Sequence, residues 1–176
     1  RSYLPGRKVF VQLIVFTMIF SAGTIPTYLI VKATGILNTL WALILPSLVA
    51  VYNFIVMKAF FEGLPNDLFE SARIDGAGEF KILFSIVLPL SKTILAVLSI
   101  NTFLSSWNNF FWPFLVTSKD RMYTIQVGLK TFKFANETLF APMMAGATLS
   151  ALPMFILFFA LQKYFLEGVT IGAVKG

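Results

Sequence analysis

The sequence has no cysteine and no histidine, and only 12% of its 176 residues are charged. Without thiols there is no disulfide framework and no thiolate nucleophile. Without imidazole there is no His-based proton relay, and the usual zinc ligand sets are missing. The shortage of charge is the larger deficit. A soluble domain carries about 25% charged residues, and too few polar side chains remain here to cover a water-facing surface. Disorder is excluded by the same composition, because it needs low hydrophobicity and high net charge. What is present instead is apolar: 57% hydrophobic residues and a mean hydropathy of +0.81. That is the composition of an integral membrane protein. The net charge is +6. A basic chain can attract nucleic acid, but loop Lys and Arg in membrane proteins serve topology, and no nucleic-acid partner is expected.

Charge-free runs cover 9–31, 33–57, 93–118 and 138–162, each 23 to 26 residues long. A helix needs ~20 residues to cross ~30 Å of hydrocarbon. Lipid admits only helices or closed barrels, and these runs lack the alternation of barrel strands. The expectation is an all-α polytopic helix bundle with four transmembrane helices, at 9–31, 36–58, 92–118 and 140–163. Arg7 and Lys8 before an apolar run ending near Gly23 could imitate a signal peptide, but apolar character resumes through Tyr28–Val31 and no soluble domain follows. Pro26 is expected to kink or break the first span. The N-terminus (Arg1, Arg7, Lys8), the middle loop (Lys58, Arg73, Lys81, Lys92) and the C-terminus (Lys163, Lys175) carry nine Lys and Arg, against five on the other side (Lys32, Lys119, Arg121, Lys130, Lys133). The positive-inside bias places both termini and the middle loop in the cytoplasm.

All eight acids lie outside the charge-free runs: Glu62, Asp67, Glu70, Asp75, Glu79, Asp120, Glu137 and Glu167. No intramembrane carboxylate pair is available for metal binding, proton coupling or acid–base catalysis. No phosphate-binding Gly-x-x-x-x-Gly-Lys-[Ser/Thr] loop occurs, so the chain is expected to be no ATPase, and no catalytic or metal residue is assigned. Any work must draw on a partner. In the third run Asn101, Ser105, Asn108 and Trp112 fall at i, i+4, i+7 and i+11 of one helical face, beside Thr102, Ser106 and Asn109. Such a face serves either interhelical hydrogen bonding or a polar path. Trp107 and Trp112 also suit an interfacial belt. Ala145, Gly146, Ala147 and Ala151 read as close helix packing.

The segment 62–90 holds five of the eight acids but is no plain linker. Asp67 and Glu70 have capping-box spacing, and Leu68, Phe69 and Ala72 form one face of a short helix. Gly76 and Gly78 interrupt it. A second helix, 78–88, carries Phe80, Leu83, Phe84 and Val87 on one face, with Pro89 ending or kinking it. This element fits either docking on a protein or resting on lipid headgroups.

Glu70-Ser71-Ala72-Arg73-Ile74-Asp75-Gly76-Ala77-Gly78, followed by Ile86-Val87-Leu88-Pro89, resembles the "EAA" loop of ABC-importer permease subunits, in its carbohydrate-uptake variant. Asn38–Pro46, Phe103–Phe110 and the tail Gln162–Gly176 are similar to the same family, so the resemblance extends over 1–176. Ser71 departs from the first Ala of the triplet. Members usually have six spans, so Arg1–Lys8 corresponds to the cytoplasmic link after two N-terminal spans that this chain lacks.

The resemblance implies a sugar-importer permease in a bacterial inner membrane. Loop 62–90 would be a coupling helix in a cleft of a cytoplasmic ABC ATPase dimer, with Glu70, Ser71, Ala72, Arg73, Asp75, Gly76, Ala77 and Pro89 as the coupling set. It further implies a second, different permease subunit and an extracytoplasmic sugar-binding protein. No cofactor would reside on this chain, ATP and Mg belonging to the ATPase. The expected substrate path is Asn101, Ser105, Asn108 and Trp112. The alternative is a membrane scaffold that docks a cytoplasmic partner without transporting.

Overall fold

The computed structural model describes residues 6–133 and 139–173, with side chains described as far as Lys163. Arg1, Glu137 and Lys175, and the side chains of the tail motif beyond Lys163, lie outside the described residues. All regular elements among the described residues are helical. The chain divides into two compact units, Arg1–Ile55 with Phe110–Gly128, and Val56–Asn109 with Leu129–Gly176.

In the first unit, α1 (Arg7–Ile19) and α2 (Thr24–Ala33) meet at 113°. Pro26 was expected to make this break, but it lies in the first turn of α2. There a missing N–H costs no intrahelical bond. The chain turns instead at Gly23, whose φ of 84° favours glycine, and Thr27 Oγ1 donates to the Gly23 carbonyl at 2.8 Å. After α2, Gly35 (φ 72°) and Asn38 (φ 58°) carry the chain into α3 (Leu40–Ile44), which tightens into a 3-10 turn at Leu45–Ser47. α4 (Val51–Glu62) starts in this unit at 47° to that segment. A short α9 (Phe111–Val116) packs on α3. Their core is Val31, Ala42 and Val116, flanked by Tyr28, Ile36, Leu37, Leu43 and Trp112. Asn38 ties the loop to α9: its N–H donates to the Val116 carbonyl at 3.0 Å, and its Oδ1 accepts from the N–H of Ser118 at 2.6 Å.

The second unit contains α5 (Asp67–Ile74), α6 (Glu79–Ile82), a π turn at Leu83–Val87, α7 (Leu88–Leu90), α8 (Lys92–Trp107) and α11 (Phe140–Ala173). The helical path bends by 75° at Ser91, two residues after Pro89, in agreement with a kink near that proline. Ser91 is fully buried and its Oγ donates to the Val87 carbonyl at 2.6 Å. α8 packs along α11, where Gly146, Ala147, Ser150, Ala151 and Met154 form the half-buried stripe. A Cβ on Gly146 would lie 2.6 Å from Leu129 Cδ2, in α10 (Ile125–Lys130), so glycine there allows close packing, as expected. Phe140, Met144, Leu149, Phe155, Ile156 and Phe159 of α11 stay exposed, which suits a helix with apolar surroundings.

Among the described residues only Phe140–Lys163, 24 residues long, is long and apolar enough to cross a membrane as one helix. Arg7–Ile19 with Thr24–Ala33, Leu40–Ser47 with Val51–Glu62, and Glu79–Leu90 with Lys92–Trp107 have the necessary length and apolarity as bent pairs. The straight helix expected over 92–118 is instead two helices, because α8 ends at Trp107 and Asn108–Phe110 separate it from α9.

Candidate functional site

The loop between α4 and α8 is held by its own hydrogen bonds and its own core. The Asn66 carbonyl accepts the N–H groups of Phe69 and Glu70 at 2.8 and 3.1 Å, and no side chain caps the helix. The expected capping box is therefore displaced. Asp67 and Glu70 both lie inside the first turn, where their charge favours the positive end of the helix dipole. At the other end, Ala77 N–H donates to the Ala72 carbonyl at 2.9 Å and Gly76 N–H to the Arg73 carbonyl at 3.0 Å. This bond pair is a Schellman motif. It requires Gly76 to be left-handed, and its φ is 76°. A Cβ there would meet open space, so backbone conformation rather than crowding selects glycine.

The inside of the loop is Ala72, Ile82 and Val87, packed with Phe61, Leu64, Phe69, Ala77 and Ile86. The face expected on the second helix keeps three of its four residues. Of Phe80, Leu83, Phe84 and Val87 only Val87 is buried; Phe80 is 79% and Phe84 63% exposed. The π turn explains the change. Leu88 N–H reaches back five residues to the Leu83 carbonyl, and the additional residue in that turn takes Val87 off the exposed side of Phe80, Leu83 and Phe84 and onto the inner side with Ile82.

The expected coupling residues therefore separate into two groups. Ala72 is buried and Ala77 half-buried in the loop's own core, so they shape the element rather than offer a contact surface. Glu70, Ser71, Arg73, Asp75, Gly76 and Pro89 are exposed. Ser71 Oγ donates to the Asp67 carbonyl at 2.8 Å, so the hydroxyl that replaces the family's alanine is satisfied within its own helix. Arg73 Nη2 reaches Glu79 Oε1 at 3.4 Å across the turn. Ile74, 86% exposed, was missed as a surface residue by sequence reasoning. The signal was present: Ile74 stands two positions after Ala72 and so on the opposite side of α5.

The expected polar path is also divided. Asn101, Ser105 and Asn108 share one exposed side of α8, and Asn108 Nδ2 donates back to the Leu104 carbonyl at 3.0 Å. Trp112 lies beyond the end of that helix, in α9 of the first unit. Its ring is half-buried against the first unit's core and its Nε1 donates to the Ala42 carbonyl at 2.9 Å. Trp107 is likewise engaged, stacking on Phe103 with centroids 5.3 Å apart and donating to the Ser150 carbonyl at 3.0 Å.

Comparison with known proteins assigns the fold and the loop to a lineage. Residues 9–171 match the family described as binding-protein-dependent transport system inner membrane component. The chain is 35% identical to Protein LplC of Bacillus subtilis over 100% of its own length and 64% of that protein. It is 36% identical to the polygalacturonan/rhamnogalacturonan transport system permease protein YtcP of the same organism, over 100% of this chain and 67% of that one. Among solved structures, a bacterial ABC transporter involved in the import of the acidic polysaccharide alginate matches with a TM-score of 0.83 at 31% identity. That match covers 94% of this chain and 64% of the other. The chain thus spans about two thirds of the length of these relatives. With its helical architecture and its Gly76-centred loop, the chain belongs to the family of inner membrane components of binding-protein-dependent transport systems.

Proposed function

We propose that this chain supplies the greater part of one permease subunit of an ATP-driven importer for oligosaccharides or sugar derivatives. Sugar import is supported by relatives named for polygalacturonan/rhamnogalacturonan and arabinooligosaccharide transport. In this reading α11 and the three bent pairs are four spans, both termini and loop 62–90 face the cytoplasm, and a second permease subunit completes the path. An extracytoplasmic binding protein delivers the sugar, and a cytoplasmic ATPase dimer hydrolyses ATP.

The observation that carries the reading is the loop. It is prefolded on Ile82, capped at Gly76, and presents Ile74 and Phe80 outward at 86% and 79% exposure. A rigid element with an apolar tip and flanking charges (Glu70, Arg73, Asp75) can seat in a groove of the ATPase and transmit its motion as a unit. Asn101, Ser105 and Asn108 are the residues of α8 proposed to meet sugar hydroxyls, which need hydrogen-bond partners once water is left behind.

The test is the complete permease, reconstituted in proteoliposomes with its ATPase, second permease and binding protein. ATP hydrolysis is measured with oligogalacturonides, arabino-oligosaccharides and alginate oligomers. One of these should stimulate the wild type. Gly76→Pro should abolish the stimulation while the subunits still co-purify, because proline cannot adopt positive φ and removes the N–H bound to Arg73. Unchanged hydrolysis and uptake in that variant would overturn the loop's role and favour a scaffold without transport.

A further inference from the structure

The indole of Trp112 meets a carbonyl that has lost its ordinary partner. In an uninterrupted helix the Ala42 carbonyl accepts the backbone N–H four residues on. That position is Pro46, which has no N–H. The carbonyls on either side are served locally: Leu45 N–H donates to Trp41, and Ser47 Oγ donates to Leu43 at 3.2 Å. Ala42 is fully buried, so bulk water does not replace the lost donor. Trp112 Nε1 stands 2.9 Å from that oxygen, brought there by α9 packing on α3.

We infer that Trp112 is the substitute donor for the amide missing at Pro46, and that this bond, rather than contact with a transported molecule, accounts for tryptophan at position 112. Phenylalanine would fill much of the same space among Val31, Ala42 and Val116 but could not donate. Tyrosine and histidine carry a donor at a different reach. The bond also joins two segments distant in sequence, so the proline that weakens α3 becomes the point where α9 is fastened to it. Trp107 Nε1 also donates to a helix carbonyl, that of Ser150 in α11, but the helical donor for Ser150 is the N–H of Met154, so no proline has stripped that oxygen. The third tryptophan, Trp41, is 59% exposed and provides a control.

The test is a mutant cycle on the complete permease, purified with its partner subunits, with the thermal midpoint read at one fixed scan rate. Trp112→Phe should lower the midpoint by about 4 °C when Pro46 is present. In a Pro46→Ala background, where residue 46 again has an N–H for Ala42, the same change should lower it by about 1 °C or less. Trp41→Phe should leave it unchanged. If Pro46→Ala does not assemble, benzothienylalanine at position 112 decides the matter, since it keeps the two-ring shape and removes only the N–H. Its midpoint should fall as far as that of Trp112→Phe. An equal loss from Trp112→Phe in both backgrounds, or a wild-type midpoint with benzothienylalanine, would overturn the inference. A substrate-stacking ring would instead show normal stability with impaired uptake, and Pro46→Ala would not rescue it.

Discussion

Two polar regions stand out in the sequence, and they reach opposite outcomes. The loop 62–90 is acidic and interrupted by glycines, yet it closes on itself. Its helix end is capped by backbone bonds to Ala72 and Arg73, and Ile82 has no exposure at all. The polar side of α8 belongs to a continuous 16-residue helix, yet Asn101, Ser105 and Asn108 all remain exposed. A segment that satisfies its polar groups locally can be rigid before it meets a partner. Exposed asparagines on an apolar helix do so only in part, as Asn108 does with Leu104, and their remaining polar atoms must find water, a solute or another subunit. The proposed coupling role draws on the first property and the proposed sugar contact on the second.

The widest gap between the two regions should appear on truncating a core residue. Ile82→Ala in the loop should cost about 3 kcal/mol, read as rapid proteolysis within 62–90 of the assembled permease. An intact loop in that variant would break the contrast. Next in size is the backbone. Gly76→Val forces a β-branched residue to positive φ and should destabilise the loop by about 2 kcal/mol, read by the same proteolysis. A loss confined to coupling, with full resistance to protease, would show that the turn is less constrained than its φ of 76° implies.

Outward residues should behave differently. Phe80→Ala should change loop stability by less than about 0.5 kcal/mol while reducing recovery of the ATPase in a pull-down several-fold. Asn101→Ala should be similarly neutral for stability, and the sugar uptake of the reconstituted transporter should fall. Retained uptake would sharpen the alternative that this side of α8 packs against another subunit. The smallest effect belongs to Arg73→Ala, because the ion pair to Glu79 is exposed and 3.4 Å long. Its removal should cost about 0.5 kcal/mol or less, measured by hydrogen exchange across 70–80.

The helical, membrane-spanning character of the chain was legible from its charge-free runs, and the loop from its glycines and acids. Gly76 was identifiable because a cap needs positive φ. Three details were not legible. The period of 3.6 assumed over 78–88 fails at the π turn, so Val87 turned inward while Phe80, Leu83 and Phe84 stayed together on the exposed side. Pro26 suggested a break, but its effect depends on its position within the helix, and Gly23 set the bend. Trp112 shares a helical phase with Asn108 only if the helix continues, and it ends first.

What composition and order determine here is local: which stretches are too apolar for water, where a helix must stop, and which turn requires glycine. These depend on solvation and backbone sterics within a few residues, so a linear reading reaches them. What only the packed chain decided is which polar groups are already satisfied. The carbonyl that Pro46 leaves without a donor is that of Ala42, 70 residues before Trp112, whose indole donates to it. No local rule links such positions. They meet where α9 packs on α3 around Val31, Ala42 and Val116, and the bond offsets the cost of a buried carbonyl left without a donor.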